Sequence, residues 1–143
     1  MKPIKLFLAA LMCMMVSTAA FADDIPIPVE QLPAVSKNYV YNHFKGRSIV
    51  YAERDWDSYE CRLDDGTKIE FWRDGSLKKI ETYSTGNMPG DCMSESIGAY
   101  VNGHFPGCVV TKIERKGYGF EVELSNDIEL KFNHRGVLID IDD

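Results

Sequence analysis

Residues 39–46, YVYNHFKG, and residues 100–107, YVNGHFPG, decide the fold, because they are two copies of one pattern. Sliding the chain by 61 positions aligns residues 32–81 with residues 93–142 without a gap. Identical residues occupy 13 of these 50 positions, about a quarter, whereas unrelated chains share roughly one in seventeen. Self-similarity at a long period predicts two tandem units whose apolar faces are buried together.

Each copy begins with a short helix. Residues 36–44 and 94–105 carry apolar side chains at helical spacing, and Phe-x-Gly then ends each helix with a glycine that can adopt positive φ. In the first helix the predicted apolar side consists of Val35, Tyr39, Val40, His43 and Phe44. Ser94 is a candidate cap for the second helix. Helices this short need a sheet to stabilise them.

The residues after each helix alternate with period two, which predicts strands. We place four strands in each unit, at residues 48–54, 58–63, 67–72, 76–82, 109–115, 119–124, 128–133 and 137–142. Tight turns such as Asp64-Asp65-Gly66 separate them, so neighbouring strands are antiparallel. The predicted fold class is therefore α+β, with each of the two units made of one helix and a four-stranded antiparallel meander.

Parity along the strands assigns the two faces of the sheet. The apolar face, which packs beneath the helices, carries Tyr59, Cys61, Leu63, Ile69, Phe71, Phe120, Val122, Leu124, Leu130 and Phe132. The polar face carries Glu60, Arg62, Lys68, Glu70, Trp72, Glu121, Glu123, Glu129, Lys131 and Asn133. Such alternation is typical of a sheet covered on one side only. Leu77 and Ile80 fall on opposite parities, which predicts a bulge near Leu77.

The amino terminus has the layout of a secretory signal. Lys2 and Lys5 precede an uncharged run over residues 6–16, and small residues end at Ala20-Phe21-Ala22, which predicts cleavage after Ala22. The run is too short to span a membrane. Removal of residues 1–22 with their two lysines would take the chain from 143 to 121 residues and its net charge from −6 to −8. The predicted organisation is a signal peptide at 1–22 and repeats at 23–85 and 86–143.

Charge and cysteine content narrow the function. An acidic chain without a basic patch is not expected to bind nucleic acid. After export, Cys61, Cys92 and Cys108 remain in an oxidising compartment, and an odd number allows at most one intramolecular bridge. The second helix would separate Cys92 from Cys108 by about 18 Å at ~1.5 Å per residue, and Cys61 points to the core. We therefore expect no disulfide framework.

The pattern of helix, Phe-x-Gly, Glu-Arg strand, Asp-Gly turn and Phe-x-x-x-Gly hairpin resembles the PepSY-like family of bacterial periplasmic proteins. The residues that carry it are Phe44, Gly46, Glu53, Tyr59, Leu63, Asp65, Gly66, Phe71 and Gly75, with Phe105, Gly107, Glu114, Phe120, Leu124, Phe132 and Gly136 in the second unit. The family is similar in fold to beta-lactamase inhibitor proteins. The resemblance implies a curved eight-stranded sheet with helices on one face, a periplasmic location, and non-catalytic binding or inhibition.

No pattern predicts catalysis, a cofactor or a metal. His43 and His104 repeat at one helical position, either as ligands near a pseudo-twofold axis or as rings packed at helix ends. The acidic groups, such as Asp55/Asp57, match neither a calcium loop nor a catalytic pair and suit turns. Glu53 and Glu114 are interpreted as cross-strand partners of basic residues. We expect a protein that is not an enzyme, with no cofactor and no metal site.

The functional prediction depends on aromatic residues that are not repeated. Tyr51, Trp56 and Trp72 all lie in the first unit, and their counterparts are Lys112, Gly117 and Asn133. Exposed aromatics among charges are typical anchors of protein interfaces. The candidate interface comprises Tyr51, Trp56, Glu60, Arg62, Lys68, Glu70 and Trp72. We expect an exported module that binds an unidentified protein or peptide; the alternative is a periplasmic small-molecule or envelope-stress-sensing protein.

Overall fold

Alternating apolar and polar residues form antiparallel strands throughout both units. The computed structural model describes residues 24–83 and 88–143 and orders nine strands consecutively in one sheet. Their bounds are β1 Ile25–Pro26, β2 Ile49–Arg54, β3 Ser58–Leu63, β4 Lys68–Trp72, β5 Leu77–Glu81, β6 Val110–Lys116, β7 Gly119–Leu124, β8 Glu129–Asn133 and β9 Leu138–Asp142. The eight predicted strands are therefore confirmed to within one or two residues at each end.

One strand is missing from the prediction. β1 pairs with the end of β2, where Ile25 lies opposite Arg54 and Pro26 lies opposite Glu53. Two residues, one of them a proline, are too short to show an alternating pattern. The sheet thus has nine strands instead of the eight expected, and the extra strand lies at its first edge.

Both helices form where the apolar spacing predicts them. α1 spans Ala34–His43 and α2 spans Glu95–His104, and each follows a short 3-10 turn, at Val29–Gln31 and Gly90–Cys92. At their ends, the Phe44 and Phe105 amides donate to the carbonyl oxygens four residues back, both at 2.8 Å. Gly46 and Gly107 follow with φ of +80° and +84°, as a helix-ending glycine requires.

The start of each helix differs from the prediction. Val35, expected on the apolar side, is 61% exposed, and Ser36 is fully buried in its place. The Ser36 hydroxyl donates to the Gly75 carbonyl oxygen at 3.1 Å, which fixes α1 against the β4–β5 turn. Ser94 does occupy the cap position of α2, but its hydroxyl lies 3.1 Å from the Ser96 hydroxyl and makes no capping bond. The proposed cap is wrong.

The core lies between the helices and the apolar face of the sheet. Tyr39 of α1 meets Phe71 of β4 edge-on with ring centroids 6.0 Å apart, and Tyr100 of α2 meets Phe132 of β8 in the same way at 5.7 Å. Both phenylalanines are fully buried. The two units therefore use equivalent residues for equivalent contacts, as expected for a duplicated scaffold.

The predicted irregularity in the last strand of the first unit is confirmed. Phe71 pairs with Leu77 and Glu70 with Lys79, so Lys78 is the extra residue of a bulge. Leu77 and Ile80 are consequently both buried although their parities differ. The second unit has the same shift, with Ile139 as the extra residue.

The two units share one sheet and one core. β5 of the first pairs with β6 of the second, with Lys79 opposite Glu114. The proposed boundary at residues 85/86 and the signal peptide at 1–22 lie outside the described residues. Within those residues, no helix is long and apolar enough to cross a membrane. Cys61 lies in the core as predicted, where burial raises the pKa of its thiol to about 12, and Cys61, Cys92 and Cys108 are all free thiols.

Candidate functional site on the uncovered sheet face

The sheet face opposite the helices carries a continuous row of charged side chains. Strand pairing places its members directly opposite one another from β2 to β9, in the order Glu53, Glu60, Glu70, Lys79, Glu114, Glu121, Lys131 and Asp140. The first three members have the same sign. Because directly opposed like charges destabilise a sheet, this end of the row is distinct from the rest.

The three adjacent glutamates line a small acidic cleft. Its volume is about 230 Å³, and Asp24, Asp55 and Ser58 complete its lining. We call Asp24, Glu53, Asp55, Ser58, Glu60 and Glu70 the acidic cleft. Only part of its charge is compensated nearby: Arg62 Nε donates to Glu60 at 3.0 Å, and Lys79 Nζ lies 3.6 Å from Glu70. The acidic cleft therefore presents a surplus of carboxylate oxygens.

The second unit replaces this surplus with alternating charges. The counterpart of Glu70 is Lys131, whose ammonium lies 2.9 Å from Asp142 and 3.7 Å from Asp140. Lys116 Nζ lies 3.1 Å from Glu114 and 4.0 Å from Glu121. Carboxylates and ammonium groups therefore compensate one another across this half of the face.

Basic and aromatic residues flank the acidic cleft on one side. Tyr51, Arg62 and Lys68 lie opposite one another on β2, β3 and β4. The Arg62 guanidinium lies 4.8 Å from the Tyr51 ring centroid, and the Tyr51 hydroxyl donates to Glu53 at 2.9 Å. The hydrogen bond to Glu60 raises the pKa of Arg62, and a hydrogen bond to Tyr83 raises the pKa of Lys68. Both cations therefore stay charged at neutral pH.

The two tryptophans lie at the other side of the acidic cleft. Trp72 is opposite Ser58, is 38% exposed, and has the Lys78 ammonium 4.4 Å from its ring centroid. Trp56 is 74% exposed in the turn between β2 and β3. The Arg73 amide donates to the Asp57 carbonyl at 3.1 Å and so holds this turn beside the end of β4.

The structure thus brings the predicted interface residues together. Tyr51, Glu60, Arg62, Lys68, Glu70 and Trp72 share one face of three neighbouring strands, and Trp56 lies at its rim. Sequence reasoning missed the participation of Asp24, Glu53 and Asp55. Glu53 lies opposite Glu60, so its interpretation as the partner of a basic residue is wrong, whereas Glu114 does lie opposite Lys79. Pairing the strands through the turn at residues 55–57 would have revealed the opposed glutamates.

A second cluster of polar groups lies away from this face. His43 Nδ1 is 2.9 Å from Asp91 Oδ2, and one candidate ligand atom each from His43, Asp91 and Cys92 lie within 4.8 Å of one another. Burial raises the pKa of the Cys92 thiol, with Asp91 adding to it and a hydrogen bond from Tyr39 opposing it. His104 is not part of this cluster, because its Nδ1 lies 3.1 Å from the Tyr100 carbonyl oxygen. The two repeated histidines therefore form no common site.

Two further clefts lie near the turn that joins the units. One of about 260 Å³ lies against α2 and includes Met93, Gly98, Val101 and Cys108 in its lining. The other, of about 270 Å³, includes His43 and Arg47. Both volumes, like that of the acidic cleft, fall below the roughly 300–1,000 Å³ usual for small-molecule pockets.

Comparison with known proteins identifies the class. The family model described as "Putative beta-lactamase-inhibitor-like, PepSY-like" matches residues 20–79 and again residues 57–140. The two matches together span most of the chain, and each covers much of one unit. The protein belongs to this PepSY-like family, as its repeated motifs predict. No curated protein matches the chain.

Solved structures with the same fold come from Bacteroides. One from Bacteroides thetaiotaomicron, described as a "putative calcium-regulated periplasmic protein", is 34% identical, with a TM-score of 0.76 over 84% of this chain and 97% of that one. A periplasmic protein of unknown function from Bacteroides vulgatus is 26% identical, with a TM-score of 0.78 over 84% and 99%. A Bacteroides vulgatus protein of the DUF2874 family is 34% identical, with a TM-score of 0.76 over 87% and 100%. These neighbours are all described as periplasmic.

Proposed function

We propose that this protein is an exported, non-catalytic module that binds a protein or peptide on the uncovered sheet face of its first unit. The observation that carries the proposal is the placement of exposed aromatic rings beside an acidic cleft. Trp72 and Trp56 lie at one side of the cleft and Tyr51 at the other. Tryptophan and tyrosine are enriched among residues that dominate binding energy.

The charge of the site indicates the chemistry of the partner. Carboxylates such as Glu53, Glu60 and Glu70 favour a lysine or arginine side chain, since charge-assisted hydrogen bonds to carboxylate are the stronger ones. The neighbouring indoles favour an apolar or cationic group. The proposed partner therefore presents a basic residue next to an aromatic or aliphatic one. Binding that blocks an enzyme of the envelope would be inhibitory, as the family description suggests.

Selection from a random peptide library tests this proposal. Peptides selected by the purified protein should carry a Lys or Arg adjacent to an apolar residue, and Trp72→Ala should weaken their binding by at least about tenfold, as loss of an interface anchor does. Asn133→Ala is the matched control, because Asn133 is the counterpart of Trp72 in the second unit. Selected peptides that bind Trp72→Ala and wild type equally would overturn the proposal.

Export is part of the same proposal. The periplasmic description of the solved neighbours supports the signal-peptide layout of residues 1–22. Mass spectrometry of the protein recovered from the cell envelope should give a chain that begins at Asp23. An intact chain that begins at Met1 would contradict cleavage after Ala22.

A second candidate function is calcium binding in the same acidic cleft. Calcium takes six to eight oxygen ligands, and the cleft offers carboxylates from Asp24, Glu53, Asp55, Glu60 and Glu70 with the Ser58 hydroxyl. The description of the Bacteroides thetaiotaomicron neighbour as calcium-regulated favours this candidate. The donor chemistry fits a hard cation, and calcium bound there would neutralise the opposed glutamates.

Calorimetric titration distinguishes the two candidates. If calcium occupies the cleft, the double variant Glu60→Gln/Glu70→Gln should lose binding, whereas Glu121→Gln/Glu123→Gln in the second unit should retain it. Trp72→Ala should leave calcium binding unchanged and impair only peptide binding. Calcium binding that survives the loss of Glu60 and Glu70 would exclude this site.

A further inference from the structure

The cluster of His43, Asp91 and Cys92 joins two parts of the chain that are distant in sequence. His43 is the last residue of α1, and Asp91 and Cys92 belong to the 3-10 turn between the units. The cluster lies apart from the acidic cleft and shares no residue with it. Forty-eight positions separate His43 from Asp91, so sequence spacing gives no sign of it.

Core packing holds two of the three groups in place. The His43 ring lies against the Tyr39 ring with centroids 4.2 Å apart, and the Tyr39 hydroxyl is hydrogen-bonded to the Cys92 thiol. Tyr39 in turn packs edge-on against buried Phe71. A ligand whose orientation is fixed by its surroundings loses less freedom when it binds a metal, which is the role of the outer shell in metal sites.

The donor atoms determine which metal fits. Imidazole nitrogen, thiolate sulfur and carboxylate oxygen together suit zinc, whose bonds to them are about 2.0–2.3 Å long. Tetrahedral geometry with such bonds separates the ligand atoms by roughly 3.3–3.8 Å. The present separations, all within 4.8 Å, require only a small adjustment of side chains. A sulfur donor does not suit calcium or magnesium, which take oxygen ligands.

The surroundings leave the cluster accessible. His43 and Asp91 keep 26% and 63% of their side-chain surface exposed, and the cleft of about 270 Å³ that includes His43 opens beside them. Three protein ligands leave a fourth tetrahedral position for water or another ligand.

We propose that His43, Asp91 and Cys92 form a zinc site that links the end of α1 to the turn between the two units. The site would replace the direct contact between His43 and Asp91 with coordination of both to one ion. Because the ion binds the folded arrangement, it would stabilise the protein and fix the position of the second unit's first turn. This proposal is independent of peptide or calcium binding on the sheet face.

Titration of the metal-free protein with Zn²⁺, and with Co²⁺ as a spectroscopic probe, tests the site. We expect one ion per chain, a higher melting temperature with Zn²⁺, and a thiolate-to-cobalt charge-transfer band with Co²⁺. Cys92→Ser and His43→Gln should each weaken Zn²⁺ binding by more than about a hundredfold and remove the band or change it, and Asp91→Asn should weaken binding by about tenfold or more.

Matched controls come from the other copy of the motif. His104→Gln removes the repeated histidine, and Cys108→Ser removes the other partly buried thiol; both should leave Zn²⁺ affinity and the cobalt spectrum unchanged. Circular dichroism of each metal-free variant checks that it is folded. The proposal is overturned if folded Cys92→Ser binds Zn²⁺ as tightly as wild type, if Co²⁺ gives no thiolate band, or if the wild type binds no Zn²⁺ at equimolar concentration.

Discussion

The two units have the same core and different surfaces. Tyr39 and Phe71 in the first unit meet in the same geometry as Tyr100 and Phe132 in the second, with centroid distances of 6.0 and 5.7 Å. On the opposite face, the first unit has three adjacent glutamates and exposed tryptophans, whereas the second has alternating charges and Asn133. Duplication has thus kept the contacts that hold the fold and changed the surface that is free to bind.

The largest expected effect is loss of a core aromatic ring. Phe71→Ala and Phe132→Ala should each lower the free energy of unfolding by about 3–5 kcal/mol, because both rings are fully buried and leave a cavity. Chemical denaturation of both variants measures the two values. Equal losses would support equivalent cores, while losses that differ by several-fold would contradict the comparison.

Replacing the hairpin glycines should cost less. Gly75 and Gly136 have φ of +89° and +76°, and an added Cβ at either would meet the start of a helix, at Val35 and Ser36 or at Ser94 and Ser96. Gly75→Ala and Gly136→Ala should each destabilise the protein by about 1–3 kcal/mol. Gly46→Ala is the control, since a Cβ there meets nothing within 4 Å and only the φ penalty applies. A smaller loss for Gly75→Ala than for Gly46→Ala would contradict the packing argument.

Charge variants of the sheet face should differ in sign between the units. Glu53→Gln removes one of two directly opposed carboxylates and keeps an acceptor for Tyr51, so it should stabilise the protein by about 0.2–1 kcal/mol. Glu114→Gln removes the partner of Lys116 and the residue opposite Lys79, so it should destabilise by a similar amount, reduced by solvent screening. Thermal unfolding at low and moderate salt compares them. The same sign for both would show that the two halves of the face do not differ electrostatically.

The smallest effect concerns pH in the second unit. Desolvation and then a hydrogen bond to Glu121 raise the pKa of Glu129, so its contribution to stability is full below the unfolded pKa of about 4.3 and is lost as pH rises through the folded value. Glu129→Gln should therefore be more stable than wild type at neutral pH, with the difference shrinking toward acid pH. Melting temperatures from pH 3 to 8 test this trend, which corresponds to linkage.

Glu123→Gln provides the control for this pH profile. Glu123 lies 3.3 Å from Lys112, so its loss should lower the melting temperature at neutral pH. A neutral-pH gain for Glu123→Gln, or none for Glu129→Gln, would contradict the assignment.

The candidate site was only partly readable in the sequence. Period-two alternation placed Glu60, Glu70 and Trp72 on one face, because side-chain direction in a strand is a local property. Alternation does not give register, so the direct opposition of Glu53, Glu60 and Glu70 and the arrival of Asp24 with β1 emerged only from strand pairing. Similarly, Val35 and Ser36 exchanged their expected positions because the β4–β5 turn packs on the start of α1.

The sequence by itself determined the duplicated scaffold: the offset of 61, the helix-ending glycines, the strand bounds and the bulge at Lys78. These features follow from local periodicity and backbone preference, which act over a few residues. The tertiary structure alone decided which distant groups meet. It assembled the acidic cleft from three strands and a residue beside β1, and it brought Asp91 and Cys92 to His43. Such contacts depend on how whole elements pack, and no short stretch of sequence encodes that packing.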